Sequence, residues 1–224
     1  MALRLREMSP GARAIRRTIG SLLLSPLPDK LNLLSHVWNR LKAVLYYRHV
    51  FGSFGKGSVI YKPTMLINPR FMHIGHEVSI RRGVRLEAVV SDPANPPELR
   101  IGNNVNIEQD VHIVFAGKIV IGDNVSITAR CSLLGGTHPF FDVHSPVKIG
   151  ARLTGATSRI EIGEGSFLGI GSVIMMNVKI GKHVVIGSNS VVTRSIPDYS
   201  VADGKPAKVC MKYDAASDSW HNVS

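Results

Sequence analysis

Along residues 54–197 an apolar side chain returns at every sixth position. The series is Phe54, Ile60, Leu66; Ile74, Ile80, Leu86; Ile101, Ile107, Ile113; Ile121, Ile127, Leu133; Ile162, Leu168, Ile174; Ile180, Ile186, Val192. Val, Ser, Thr or Cys stands four residues later in 15 of these 18 cases, and glycine follows directly in eight. Residues two apart on a strand point to the same side. Each hexad therefore supplies a short strand with two inward side chains, followed by a turn that glycine can make. The unbroken blocks are 54–71, 74–91, 101–118, 121–138, 162–179 and 180–197, each of 18 residues or three hexads. Three strands per turn predict a triangular coil, and six such coils predict an all-β solenoid whose interior is filled by Ile, Leu and Val. The interruptions at 72–73 and 119–120 are short, whereas 92–100 and 139–161 read as loops that leave the coil.

The pattern changes before residue 54. Leu33, Leu34, Val37, Trp38, Leu41, Val44 and Leu45 recur at spacings of three and four, which predicts an amphipathic helix over 31–49. Charge is concentrated in the same region. Residues 1–50 hold nine basic and two acidic residues, so they carry seven of the eleven net positive charges of the 224-residue chain. Such a helix packs on the main domain or lies on an anionic membrane surface. Arg13, Arg16 and Arg17 ahead of Ile19–Leu24 resemble the start of a signal peptide, but Pro26 and Pro28 break the apolar stretch and no small-residue cleavage site follows. No apolar run reaches the length of a spanning helix. Cys131 and Cys210 are far apart, so neither a disulfide framework nor a zinc ribbon is expected. The basic charge comes without an aromatic–basic platform or a helix-turn-helix pattern, which argues against nucleic-acid binding. The expected organisation is a basic segment 1–53, a repeat domain 54–209 and a tail 210–224.

Two further motifs accompany the repeat: Gly136-Thr-His-Pro-Phe-Phe-Asp142, and Ser190-Val-Val-Thr-Arg-Ser-Ile-Pro197 followed by Gly204-Lys-Pro-Ala-Lys-Val209. With the aliphatic–Gly–x–x–small–x hexads, these resemble the hexapeptide-repeat acyltransferases, closest to the maltose, galactoside and polysaccharide O-acetyltransferases. The resemblance covers about 54–212. It implies a left-handed parallel β-helix, acetyl-coenzyme A as acyl donor with no metal, and a homotrimer with sites between protomers. It further implies a sugar or glycan acceptor, which the basic N-terminus would suit if lipid-linked at the inner face of the cytoplasmic membrane.

His138 closes the fourth block where the long excursion begins, and transfer to a hydroxyl needs a base that works near neutral pH. The resemblance assigns this position the general base. Glu108 and Asp110 stand where the resembling enzymes commonly carry acceptor-contacting Asn. They read either as partners of sugar hydroxyls or as turn residues on a solvated face. By resemblance, Phe167, Ile170 and Ser188 would line the pantetheine arm, Thr193 and Arg194 would follow along it, and Lys208 and Lys212 would meet the phosphates. Cys131 occupies a small inward position and reads as packing. His112, His138 and His144 raise a zinc-lyase reading, but no repeat phase holds His144. A non-catalytic β-helix scaffold and an amino-sugar N-acetyltransferase are the remaining alternatives.

Overall fold

The computed structural model describes residues 26–223, so the arginine-rich start of the chain and its signal-like features lie outside the described residues. The chain divides into two compact units, Met1–Leu41 and Lys42–Ser224. Helix α1 (Leu27–Lys42) dominates the described part of the first. Pro26 and Pro28 suit a helix start, where a backbone N–H would lack a partner. The Pro26 carbonyl accepts from the amides of Asp29 (3.1 Å) and Lys30 (3.3 Å). Asp29 lies in the first turn, where a negative charge complements the helix dipole.

Helical chain continues into the second unit as far as Val50, so the helix is longer at both ends than the apolar spacing predicts. It ends in an aromatic cluster. Tyr47 and Phe51 are buried, and ring centroids are separated by 5.8 Å for Tyr47–Phe51, 6.0 Å for Tyr47–Phe54 and 5.4 Å for Phe51–Phe54. These rings cover the open start of the first coil, which accounts for an aromatic residue at the first aliphatic position, Phe54.

Eighteen short strands follow, from β1 (Ser53–Phe54) to β18 (Val191–Val192), and taken in threes they form six coils. Every third strand stacks in parallel, giving a first face headed by β1, a second headed by β2 (Val59–Ile60) and a third headed by β3 (Met65–Ile67). The hexad series becomes three vertical columns. Ile74, Ile101, Ile121, Ile162 and Ile180 pair in register on the first face. Ile80, Ile107, Ile127, Leu168 and Ile186 do so on the second, and Leu86, Ile113, Leu133, Ile174 and Val192 on the third. All of these are buried, each burial contributing about 1.5–3 kcal/mol.

The coil boundaries differ from the hexad reading in one respect. Residues 72–73 and 119–120 do not interrupt the coil. They lie in β4 (Met72–Ile74) and β10 (Lys118–Ile121), with Met72 and Ile119 fully buried. Lengthening a strand by two residues leaves its inward and outward faces unchanged, so a break in the six-residue count need not break the coil. For the same reason 98–100 and 159–161 already belong to β7 (Glu98–Ile101) and β13 (Arg159–Ile162). The excursions are therefore as long as expected but begin and end three residues earlier, at 89–97 and 136–158.

After the sixth coil, β19 (Ser200–Gly204) lies parallel beside β17 (Val185–Ile186). It is followed by antiparallel β20 (Ala207–Asp214) and β21 (Ser219–Asn222). Residues 210–223, expected from sequence as a tail, thus extend the second face and pair its otherwise open edge.

Candidate functional site

Two long edges of the triangular prism carry the candidate residues. The edge between the third and first faces holds His138. It follows β12 (Ser132–Gly135) and is exposed. Thr137 and Thr154 exchange two backbone hydrogen bonds of 2.9 Å, which pin the root of the excursion beside it. Gly136 and Gly155 make this closure possible: a Cβ on Gly155 would lie 2.9 Å from the Gly136 Cα, and Gly155 has φ +133°. Ser158 Oγ donates to the Gly135 carbonyl at 2.9 Å and ties the returning chain to the same point. Further out, the Arg152 guanidinium donates to the carbonyls of Asp142 (2.8 Å) and Ser145 (3.3 Å). It organises the loop from inside, a role the sequence did not signal. The Phe140 and Phe141 rings lie 4.3 Å apart, tilted by 31°, and are exposed.

The edge between the second and third faces holds most of the others. Glu108 and Asp110, with Tyr61, Arg81, Arg82 and Gln109, line a cleft of about 380 Å³. Glu108 lies 3.9 Å from the Arg81 guanidinium. Asp110 has φ 59°, and the turns above and below place Gly83 (80°), Arg130 (60°), Gly171 (70°) and Asn189 (59°) in the same left-handed conformation. Asp tolerates that region better than most residues, so Asp110 already has a turn role. Two and three coils above Glu108, Phe167, Ile170 and Ser188 are exposed on the same side of the prism.

The chain itself does not bring these residues to His138. One strand's width of the third face separates the two edges, roughly 15 Å for four or five residues. Thr193 and Arg194 are exposed on the His138 edge, at the sixth coil. Lys208 and Lys212 share the exposed side of β20, Lys208 opposite Asp203 and Lys212 opposite Ser200. Hydrogen bonds from Ser190 Oγ and the Gly204 amide, both 2.7 Å, hold the Asp203 carboxyl below the usual carboxylate range.

Cys131 is fully buried, its Sγ 3.1 Å from the Gly169 carbonyl oxygen, and it packs inside the coil as its hexad position predicts. His112 lies on the third face, in register between Arg85 and Ser132. Partial burial and the Arg85 charge move its imidazole below the ordinary range. Among the described residues no three His, Cys, Asp or Glu side chains form a group that could hold a metal ion.

The repeat has a counterpart among known families. The family model for the bacterial transferase hexapeptide (six repeats) matches residues 159–194. A Mycobacterium tuberculosis protein named as a probable acetyltransferase is 30% identical over 179 residues, covering 77% of this chain and 55% of that protein. The galactoside O-acetyltransferase of Lactococcus lactis is 34% identical over 111 residues, covering 49% of this chain and 47% of that one. The chain thus spans about half the length of these curated relatives. In structure it superposes with a TM-score of 0.63 on a variant of AntD, an N-acyltransferase from Bacillus cereus in complex with dTDP and coenzyme A. That match has 21% identity and covers 80% of this chain and 90% of the other. This likeness is one of fold. The prism is a left-handed parallel β-helix, as the resemblance implied, and its residues 159–194 carry the bacterial transferase hexapeptide repeat.

Proposed function

We propose that this chain is a coenzyme A-dependent O-acetyltransferase acting on a hydroxyl of a sugar or glycan precursor. The observation that carries the reading is the position of His138: an exposed imidazole at the pinned root of the long excursion, beside a coil with an otherwise regular interior. The imidazole takes the proton of the acceptor hydroxyl as that oxygen attacks the thioester carbonyl. The carbon–sulfur bond breaks, and the thiolate of coenzyme A leaves and is protonated. Phe167, Ile170 and Ser188 line the pantetheine arm, Thr193 and Arg194 follow along it from the His138 edge of the adjoining chain, and Lys208 and Lys212 face the phosphates. Glu108 accepts hydrogen bonds from the acceptor, and Asp110 chiefly shapes the turn beside it.

Because His138 and the Glu108–Ser188 edge lie on opposite sides of the third face, a complete site requires the edges of two chains. This supports a homotrimer with shared sites. Thiol release from acetyl-coenzyme A over a panel of sugars tests the reaction, and equilibrium sedimentation tests the assembly. Acceptor-dependent release by a species of three chains is expected. A mass of one chain would remove the shared site, and failure to bind coenzyme A would favour a scaffold.

The chain works in the cytoplasm, with residues 1–50 touching the membrane's inner face. No helix among the described residues is long and apolar enough to cross a membrane. The support for surface contact is the apolar stripe of α1 (Leu31, Leu34, Val37, Trp38, Leu41) in a strongly basic segment. Leu34→Glu with Trp38→Glu should reduce co-sedimentation with anionic liposomes at least several-fold. Unchanged pelleting would assign that stripe to protein packing.

A further inference from the structure

A second cleft on the coil is larger than the one beside Glu108. It measures about 600 Å³ and runs along the His138 edge, lined by Arg70, Phe71, Pro96, Pro97, Lys118 and Arg159 among others. Its wall is stiff. Asp92 accepts from the Ala94 amide (2.9 Å) and the Asn95 side chain (2.7 Å), which closes a turn, and two prolines follow at 96 and 97. Opposite stands the returning foot of the excursion, Ala156–Arg159, two residues beyond the Thr137–Thr154 bridge that adjoins His138.

The charges around this cleft do not balance. Glu98 is shared by Arg100 (2.6 Å) and Lys118 (3.9 Å). Glu161 is shared by Arg159 and Lys179, the latter at 3.9 Å. Among the described residues Arg70 has no ion-pair partner; its guanidinium lies 4.8 Å from the Phe71 ring centroid. Of the residues lining the cleft, three cations, Arg70, Lys118 and Arg159, thus face one carboxylate, Glu98, and the nearby Asp92 is engaged by its own loop. An excess of fixed cations over a rigid floor of Phe71, Pro96 and Pro97 suits an anion attached to a less polar body, because Arg and Lys pair best with phosphate oxygens.

We propose that this cleft binds the phosphate or diphosphate of an activated acceptor, so that the sugar attached to it reaches His138 along the same edge. The inference rests on the acyltransferase reading and names its substrate class: a sugar carried on a diphosphate, not a free neutral sugar. Arg70 and Lys118 hold the phosphate oxygens, Arg159 closes the far side, and the carrier beyond the diphosphate leaves over Phe71 and the prolines. A nucleotide sugar and a polyprenyl-linked sugar present the same diphosphate chemistry.

The test is calorimetric titration of the intact protein with inorganic pyrophosphate, alone and with saturating coenzyme A. Binding that persists with coenzyme A present is expected. Arg70→Gln with Lys118→Gln should weaken it at least tenfold, and Lys182→Gln, on a different edge of the prism, should not. Both residues of the double variant are exposed, so the substitutions leave the core intact, and unchanged coenzyme A affinity of the variant confirms its fold. Farnesyl diphosphate and uridine diphosphate then separate the carriers, since the one that binds more tightly than pyrophosphate identifies the body beyond the diphosphate. Three results would overturn the proposal: no pyrophosphate binding by a protein that binds coenzyme A, equal binding by the double variant, or displacement of pyrophosphate by coenzyme A, which would make the cleft part of the donor site. The converse result, pyrophosphate binding without coenzyme A binding, would sink the acyltransferase reading and leave the anion site standing.

Discussion

His138→Ala should lower acceptor-dependent thiol release by roughly 100- to 10,000-fold, the range for removal of a positioned general base. Coenzyme A affinity and thermal unfolding should stay as in the wild type. The two halves of this expectation have separate causes. The imidazole is exposed and lies on the excursion's root without joining the coil interior, so its loss removes little packing. Phe167, Ile170 and Ser188, assigned to the donor arm, lie on the other edge of the same chain, so their contacts with the arm do not require the ring. His144→Ala serves as the comparison: His144 is also exposed and lies in the same excursion, and its loss should change release by less than about threefold, as for a surface substitution away from the reacting atoms. Release by His138→Ala within threefold of wild type would take the base away from this residue while leaving the reaction class intact.

The coil was legible because its determinant is local and periodic. Each aliphatic position of the hexad has one destination, the interior, and one partner, the residue a full coil away. The pairing of Ile107 with Ile127 and of Ile127 with Leu168 is implied once the 18-residue block is seen. What periodicity could not fix was strand length. Met72 and Ile119 fall outside the six-residue count yet are fully buried, because alternation survives a two-residue insertion.

The candidate site was legible only as a set of residues. His138 read as functional from motif and position and Glu108 as either an acceptor contact or a turn residue, but a prism has three edges and spacing does not say which edges a second chain will join. Asp110 shows the opposite limit: its carboxylate invites a chemical role, and its left-handed backbone supplies a structural one that no single-sequence pattern separates from it. The cleft of Arg70, Lys118 and Arg159 was illegible for a topological reason. Its residues come from successive turns of the chain, each unremarkable alone, and only stacking places them side by side.

The same stacking predicts where the fold is most easily damaged. Leu133→Ala should destabilise the protein by about 2–5 kcal/mol, the cost of a cavity in a close-packed interior, out of a total of order 5–15 kcal/mol for a domain. Leu133 is fully buried and held in register by Ile113 below and Ile174 above, so the surrounding coils cannot collapse into the gap without breaking two ladders. Leu66→Ala removes the same atoms from the first coil. There the side chain is half-buried and paired only with Leu86 above, and the cost should fall to about 1 kcal/mol, in proportion to the smaller apolar area lost. Chemical denaturation of the two variants side by side reads the difference as a shift in midpoint at constant slope. Equal losses would mean that the coils do not unfold as a stack with a weaker end. A large loss for Leu133→Ala, with thiol release per folded molecule preserved below the transition, would separate the interior's role in stability from the chemistry proposed for His138, which follows β12 and lies outside the coil interior.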